Sequence, residues 1–297
     1  MKRIPLSTGQ SISRIVQGYM RLADWKKSDA ELDAFIRAGL DIGITTVDHA
    51  DIYGGYTVEA LFGNVLKKQK DLREKLEIVT KCGIVHTSYP YRKIGIKHYD
   101  YSFNHIVESV DRSLSAFGTD YLDVLLLHRP SPLWEAEEIA QAFDQLAQTG
   151  KVRSFGVSNF QPHQITYLQS ELQIDLAINQ LEISSVETGY FRDGTIDFGM
   201  MNNIVSMAWS PIGGLPHRHS DAQQRVFEAL NELAPEYGVD WSVLAIAWIL
   251  YHPSGLVPLI GTGSLERVQA LQNVDNMELT LEHWYRIYTA STGKNVP

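Results

Sequence analysis

The sequence predicts an α/β fold, a (β/α)8 TIM barrel. Three observations predict it. Short apolar runs alternate with helix-period stretches along the chain, eight such pairs in 297 residues, which suits a barrel of eight βα units. One run, Leu122-Asp123-Val124-Leu125-Leu126-Leu127-His128, is almost continuously apolar, as a strand is when both its faces are covered. No strand is followed by G-x-G-x-x-G, which weakens the alternative of an open doubly wound sheet. No Pro/Gly/Ser-rich linker or shift in composition divides the chain, so residues 1–297 read as one barrel domain.

The elements follow in order. Residues 3 to 13 alternate weakly about Ser7-Thr8-Gly9-Gln10 and predict a hairpin. Ile15-Val16-Gln17-Gly18-Tyr19 is the first barrel strand. Ser28-Asp29-Ala30-Glu31 forms a capping box, in which the serine hydroxyl and the glutamate carboxylate each satisfy a free helix-end N–H. Leu32, Phe35 and Ile36 follow at helical spacing, and Gly39 and Gly43 mark the exit. The β-branched run Ile44-Thr45-Thr46-Val47 is the next strand. Val58, Leu61, Phe62 and Val65 then predict one helix face. Residues 76 to 81 form a strand, and Phe103, Ile106, Val107, Val110, Leu114 and Phe117 form a helix stripe. After the strand at 122 to 128 come a helix at 134 to 148, a strand at 152 to 158 and a helix at 161 to 172. Strands at 176 to 180 and 204 to 209 lead to helices at 221 to 237 and 240 to 251. The last strand, 255 to 260, precedes helices at 264 to 272 and 280 to 290.

Bulk properties narrow the function. A net charge of −9 and a pI near 5.6 give no support for a nucleic-acid or anionic-membrane partner. The single cysteine, Cys82, excludes an internal disulfide; it follows Lys81 on a strand, so it should face away from it as a small buried apolar residue. The start, Met1-Lys2-Arg3-Ile4-Pro5-Leu6, shows no signal-peptide pattern, and the most apolar stretch, Val243 to Tyr251, is too short to span a bilayer. A cytoplasmic chain is expected.

The chain is organised around Val47-Asp48-His49-Ala50-Asp51-Ile52-Tyr53-Gly54-Gly55-Tyr56, where a carboxylate ends a strand and a phenol follows it. In parallel α/β proteins that edge binds ligands. Lys81 and His128 stand at other strand ends. Singly, each is an ordinary strand-end hydrogen-bond partner, and Tyr53 an ordinary turn aromatic. Together in one barrel mouth they suit acid–base chemistry. A Lys ammonium about 4 Å from a phenol favours the phenolate by roughly 4 kcal/mol, which predicts a Tyr53 pKa lowered by about three. Asp48 would keep the buried lysine charged, and His128 would orient a carbonyl oxygen. The set suits protonation of a carbonyl oxygen as hydride reaches carbon.

Several stretches carry a resemblance. They are Val47 to Gly54, Thr80-Lys81, Leu126-Leu127-His128, Gly156-Val157-Ser158-Asn159-Phe160, Asn179-Gln180, Ala208-Trp209-Ser210-Pro211 and Ile260-Gly261-Thr262. In this order, over nearly the whole chain, the sequence resembles the aldo-keto reductases. The resemblance implies a barrel that reduces aldehydes or ketones with NADPH, a small-molecule carbonyl substrate, and a tetrad of Asp48, Tyr53, Lys81 and His128 with Tyr53 as proton donor. It implies that Ser158, Asn159 and Gln180 grip the nicotinamide carboxamide and that Trp209 stacks on the ring. It implies a pyrophosphate loop at Ser210, Pro211, Ile212, Gly213, Gly214 and Leu215, and an adenosine-phosphate site at Gly261, Thr262, Gly263, Ser264 and Arg267. Three positions depart from the pattern. Gly261 stands where NADP-preferring members carry lysine, and Leu271 where an asparagine is common. His49 replaces a small hydroxyl residue.

Tyr19, Met20, Trp25 and Trp134 follow strand ends and are expected to wall the substrate pocket, although Trp25 and Trp134 read equally well as surface packing residues. The short loop after His128 predicts an open, permissive mouth. His217-Arg218-His219 reads as a loop beside the site, since no third metal ligand is evident at suitable spacing. The runner-up reading is a cofactor-binding regulatory or redox-sensing partner, as in potassium-channel β subunits, which resemble the same family. A barrel hydrolase would need paired carboxylates or a metal set that the sequence does not supply.

Overall fold

The computed structural model describes residues 1–297. A short hairpin, β1 (Arg3–Pro5) and β2 (Ser11–Ser13), precedes the barrel strands β3 (Val16–Gly18), β4 (Thr46–Asp48) and β5 (Glu77–Cys82). A second hairpin, β6 (Ile84–Val85) and β7 (His98–Tyr99), follows β5. The barrel continues with β8 (Leu122–Leu127), β9 (Val152–Ser158), β10 (Leu176–Glu182), β11 (Val205–Trp209) and β12 (Val257–Ile260). The eight barrel strands close in sequence order, with β12 beside β3, and every pairing is parallel.

Helices cover the outside: α1 (Leu22–Trp25), α2 (Asp29–Asp41), α3 (Val58–Lys68), α4 (Phe103–Phe117), α5 (Ala136–Gln148) and α6 (Pro162–Gln169). They continue with α7 (Thr195–Met201), α8 (Asp221–Leu233), α9 (Trp241–Leu250), α10 (Leu265–Gln269) and α11 (Leu281–Thr292). The predicted capping box starts α2, with both of its reciprocal bonds present, a feature worth about 1 kcal/mol. On α3 the buried face is Val58, Phe62, Val65 and Leu66. Leu61, predicted for that face, is 39% exposed; the buried stripe is rotated toward Glu59, Gly63 and Leu66, which leaves Leu61 at its edge. Its neighbour Gly63 lets α3 approach α4, because a Cβ there would stand 2.0 Å from the Ala116 carbonyl oxygen. No helix is long and apolar enough to cross a membrane.

Two apolar layers result. The barrel interior is filled by Val16, Val79, Val124, Leu126, Ile178, Met207 and Val257, and Leu6 and Ile12 from the first hairpin join them. The hairpin thus plugs the barrel, with Ser154 bonding Thr8 and Gln10. A larger cluster fills the space between strands and helices and includes Cys82, as its predicted orientation away from Lys81 requires. Strand register then sets the mouth. Gly18 pairs with Asp48, Lys81 with Leu126, Ser158 with Gln180 and Glu182 with Trp209, so the polar residues that end successive strands share one edge.

Candidate active site

At the centre of that edge is Lys81, 1% exposed. Its Nζ donates to Asp48 Oδ1 at 2.6 Å, to the His49 carbonyl at 2.7 Å and to Tyr53 Oη at 3.1 Å. An ammonium has three hydrogens, and all three are engaged. The Tyr53 oxygen is therefore an acceptor toward Lys81, and its own hydrogen is left for another partner. Asp48 is held from a second side, where Gln180 Nε2 donates to Oδ2 at 2.8 Å. His128 meets Tyr53 edge to face, with ring centroids 5.9 Å apart. The four tetrad residues, drawn from β4, β5 and the segments after β4 and β8, are thus brought together.

Burial governs the protonation states. It works against the charge on Lys81, but Asp48 and Tyr53 outweigh it and hold the lysine above its ordinary pKa. Burial also pushes the Tyr53 phenol up, and Lys81 only partly opposes it. This corrects the expectation of a lowered phenol pKa. Beside the cation, desolvation of the phenolate and repulsion from Asp48 act on the phenol, and both raise its pKa. The His128 imidazole is pushed well below its ordinary value, first by burial and then by Lys81. It stands neutral, with Nδ1 buried and without a partner.

His49 acquires a structural account. Its ring is fully buried, stacked on Tyr19 at 5.0 Å and met edge-on by Phe62 and Phe117. Neither ring nitrogen has a hydrogen-bond partner. Burial, then Lys81, pushes its pKa well down, so it fills an aromatic box behind the site as a neutral ring.

The neighbouring strand ends carry the residues assigned to a nicotinamide. Asn159 Nδ2 donates to Ser158 Oγ at 2.7 Å, Ser158 Oγ donates to the Gln180 carbonyl at 2.9 Å, and Trp209 Nε1 donates to Asn159 Oδ1 at 3.1 Å. This chain of bonds orients the Trp209 ring and joins it through Gln180 to Asp48. After Trp209 the backbone turns sharply, with positive φ at Ser210, Gly213 and Gly214. A Cβ on Gly213 would stand 2.6 Å from Ser184 Oγ. Gly213 also donates its N–H to the Ser210 carbonyl and accepts a bond from Gln223 Nε2. Pro211 is buried, and the Leu215 side chain is in the core, so Leu215 offers a ligand only its backbone. At the last strand end, Ser264 caps α10 by accepting from the Arg267 N–H, and Thr262 Oγ1 accepts from the Ser264 N–H. Arg267 is exposed.

Not every residue expected at the pocket wall is there. Tyr19 is 1% exposed and belongs to the core. It is enclosed by His49, Phe62 and Trp25, because the chain turns directly into α1 and tucks the ring beneath it. Trp25 is half-buried against Tyr19 and Phe35 and lies beneath Gly263, whose Cβ would meet the indole at 2.6 Å. Trp134 packs on Phe160 and Tyr167 on the flank. Met20 alone of the four is largely exposed. In the His217-Arg218-His219 loop the two imidazoles stack and Arg218 covers Phe227.

Two arginines were missed. Arg21 reaches across from the end of β3, and its Nη2 donates to the Gly261 carbonyl at 3.1 Å. It places a guanidinium beside the position where the expected lysine is absent. Arg129, next in sequence to His128, lies over the Trp209 ring at 5.4 Å. The adjacency of Arg129 to His128 was visible in the sequence. The reach of Arg21 depends on β3 and β12 being neighbours.

Comparison with known proteins shows the family. The model of the Aldo/keto reductase family matches residues 14–291. The chain is 44% identical to the uncharacterized oxidoreductase YcsN of Bacillus subtilis over 300 residues, covering 100% of both chains. It is 46% identical to the oxidoreductase YdhF of Escherichia coli, covering 97% of each. It is 44% identical to a 6-dehydroglucose reductase of Agrobacterium fabrum, covering 100% of each. Its fold matches that of the thermostable aldo-keto reductase Tm1743 with a TM-score of 0.80 at 24% identity, covering 98% of this chain and 100% of the other. It matches an aldo-keto reductase of Bombyx mori solved with NADP at 0.78 and 24%, covering 97% and 92%. With its barrel, its matched length and these relatives, the chain belongs to the aldo/keto reductase family.

Proposed function

We propose that this protein is an NADPH-dependent reductase of aldehydes or ketones with Tyr53 as general acid. One observation carries the reading: all three Lys81 hydrogens are directed at Asp48, His49 and Tyr53, which leaves the phenolic hydrogen to donate to a carbonyl oxygen. NADPH, when bound, supplies the hydride. Tyr53 holds the proton that the reduced oxygen takes up. A raised phenol pKa suits this role, since an alkoxide is a far stronger base than a phenolate and still draws the proton. Lys81 then stabilises the phenolate left behind. Neutral His128 orients the carbonyl oxygen.

Ser158, Asn159 and Gln180 are the residues that would hold the carboxamide, and the bonded set they form with Trp209 fits a flat ring at that edge. The turn from Ser210 to Leu215, with its Gln223 brace, suits a pyrophosphate. Thr262, Gly263, Ser264 and Arg267, with Arg21, would hold the adenosine phosphate. The NADP-bound state of the Bombyx mori enzyme supports this choice of cofactor. A relative named for reducing 6-dehydroglucose supports carbonyl reduction, and none of the relatives named above supports the regulatory-partner reading. We further place residues 1–297 in one domain and the protein in the cytoplasm, with a small carbonyl compound rather than a nucleic acid as its partner; the net charge of −9 supports the last point.

The test is NADPH consumption with a panel of aldehydes, diketones and quinones, comparing wild type with Tyr53→Phe. Turnover by wild type, with the phenylalanine variant binding NADPH but losing roughly 10²- to 10⁴-fold in kcat, is expected. Equal rates would remove Tyr53 from the mechanism. Cofactor binding without turnover of any substrate would favour the regulatory reading.

A further inference from the structure

A polar cavity of about 310 Å³ opens beside Trp209. Its wall includes Arg129, Asn159, Glu182, Glu187, Tyr190 and Asp193, and only one lining residue is hydrophobic. The volume lies at the lower end of the range for small-molecule sites, but the lining is far more polar than is usual for them. Arg129 is the chain neighbour of His128, so the cavity begins one residue from the group assigned to the carbonyl oxygen.

The donors and acceptors of this wall are unevenly engaged. Asn159 is bonded to Ser158 and Trp209 and keeps one amide hydrogen free, on the side assigned to the carboxamide. Glu187 Oε1 accepts from the Gly189 N–H, and Asp193 Oδ1 from the Thr195 N–H, which fixes both carboxylates and leaves each a second oxygen. Arg129 makes no ion pair and donates no side-chain hydrogen bond; its defined contact is the face of Trp209. Glu182, too, has no hydrogen-bond partner for its carboxylate, and burial, Glu187 and Arg129 act on it in that order, the first two raising its pKa. The wall thus offers a planar fork of donors on one side and carboxylate acceptors on the other. One guanidinium against three carboxylates makes it net negative, which disfavours a substrate carrying phosphate, sulfonate or carboxylate. Hydroxyl groups, which both donate and accept, match both sides.

Resting on the carbonyl reductase reading, we infer that this cavity is a specificity subsite for a neutral polyhydroxylated carbonyl compound, a hydroxyaldehyde or oxidised sugar, with Arg129 and Glu182 as its reading residues. A site built to bond hydroxyls discriminates strongly against the analogue that lacks them, because its polar groups are then left unpaired.

The experiment compares wild type, Arg129→Met and Glu182→Leu in the presence of saturating NADPH. Substrates are glyceraldehyde and erythrose against propanal and butanal, with glyceraldehyde 3-phosphate as the anionic arm. Because each variant is read as a change in the ratio of kcat/KM between hydroxylated and plain aldehydes, differences in aldehyde hydration cancel. The ratio is expected to fall at least about tenfold in each variant, through KM rather than kcat. An unchanged ratio in both variants, or a preference of wild type for the phosphorylated aldehyde over glyceraldehyde, overturns the inference. A loss of NADPH affinity by the same factor, read by fluorescence titration, would assign the cavity to the cofactor and also overturn it. A second readout does not need turnover: erythritol and glucitol are titrated into the enzyme–NADP⁺ complex and followed by tryptophan fluorescence. Saturable binding, weakened about tenfold or more by Arg129→Met, supports the subsite. Its absence overturns the subsite even where simple aldehydes are reduced. Conversely, polyol binding without reduction of any aldehyde would keep the subsite and remove the reductase reading.

Discussion

Lys81 and Arg129 are cations of the same barrel mouth, and they are placed in opposite ways. Lys81 is fully enclosed, and each of its three hydrogens has a fixed acceptor. Arg129 is half-buried, lies on an indole face and has no ion pair. A charge whose partners are all internal orders its own neighbours, as Lys81 does for Asp48 and Tyr53. A charge with unengaged donors at a cavity wall is available to something that arrives from solution. The same contrast separates Asp48, bonded from two sides, from Glu182, which has no hydrogen-bond partner.

The largest effects should come from breaking the enclosed side. Lys81→Met leaves Asp48 buried and unpaired, a loss of about 3–5 kcal/mol of stability. It also removes the cation beside Tyr53, and both losses are read by denaturant unfolding and by initial rates. The double variant Asp48→Asn, Lys81→Met should recover stability but not activity. Recovery of both would show that the pair serves only packing. On the open side, Arg129→Met should change stability by less than about 0.5 kcal/mol; a larger loss would show a structural role and erase the contrast.

The next effect concerns the other unexpected arginine. Removing a charge-assisted bond costs about 1.5–3 kcal/mol, so Arg21→Ala and Arg267→Ala should each lower the preference for NADPH over NADH about tenfold or more. Titration with both nucleotides measures it. A fall for Arg267 alone would leave Arg21 as a brace for the Gly261 carbonyl.

The smallest effect sharpens the account of His49. With two unpaired ring nitrogens in an aromatic box, His49→Phe should raise stability by about 1 kcal/mol. The sign of its pH dependence follows from its lowered pKa. The unfolded chain binds the proton more readily, so stability is present above pH about 6.5 and declines as pH falls below it. His128 acts in the same direction. Glu59, buried and pushed up to about 7, acts the other way, its contribution fading as pH rises toward that value. The phenylalanine variant should therefore lose less Tm than wild type between pH 7.5 and pH 5.5, and an identical loss would place the acid sensitivity elsewhere.

Much of this was legible in the chain. The barrel was readable because each strand is a short β-branched or fully apolar run and each helix has a regular stripe, and both periods are local. The capping box at Ser28 and the Cys82 side chain turned away from Lys81 toward the helices followed from the same local rules. The tetrad was readable because its members stand at strand ends, and parallel closure brings strand ends together whatever lies between. Local rules failed where a side chain's surroundings come from distant segments. Tyr19 looked like a loop aromatic until α1 and His49 enclosed it. The Tyr53 pKa depends on desolvation more than on Lys81, and desolvation is a property of packing. Arg21 meets Gly261 only because β3 and β12 close the barrel, and the cavity at Arg129 exists only because β9, β10 and the segment after β10 converge beside Trp209. The sequence by itself thus determined which chemical groups line the edge, through periodicity and strand ends. The tertiary structure alone decided which of them are already bonded to one another and which are left to meet a ligand, because that depends on burial and on contacts between residues far apart in the chain.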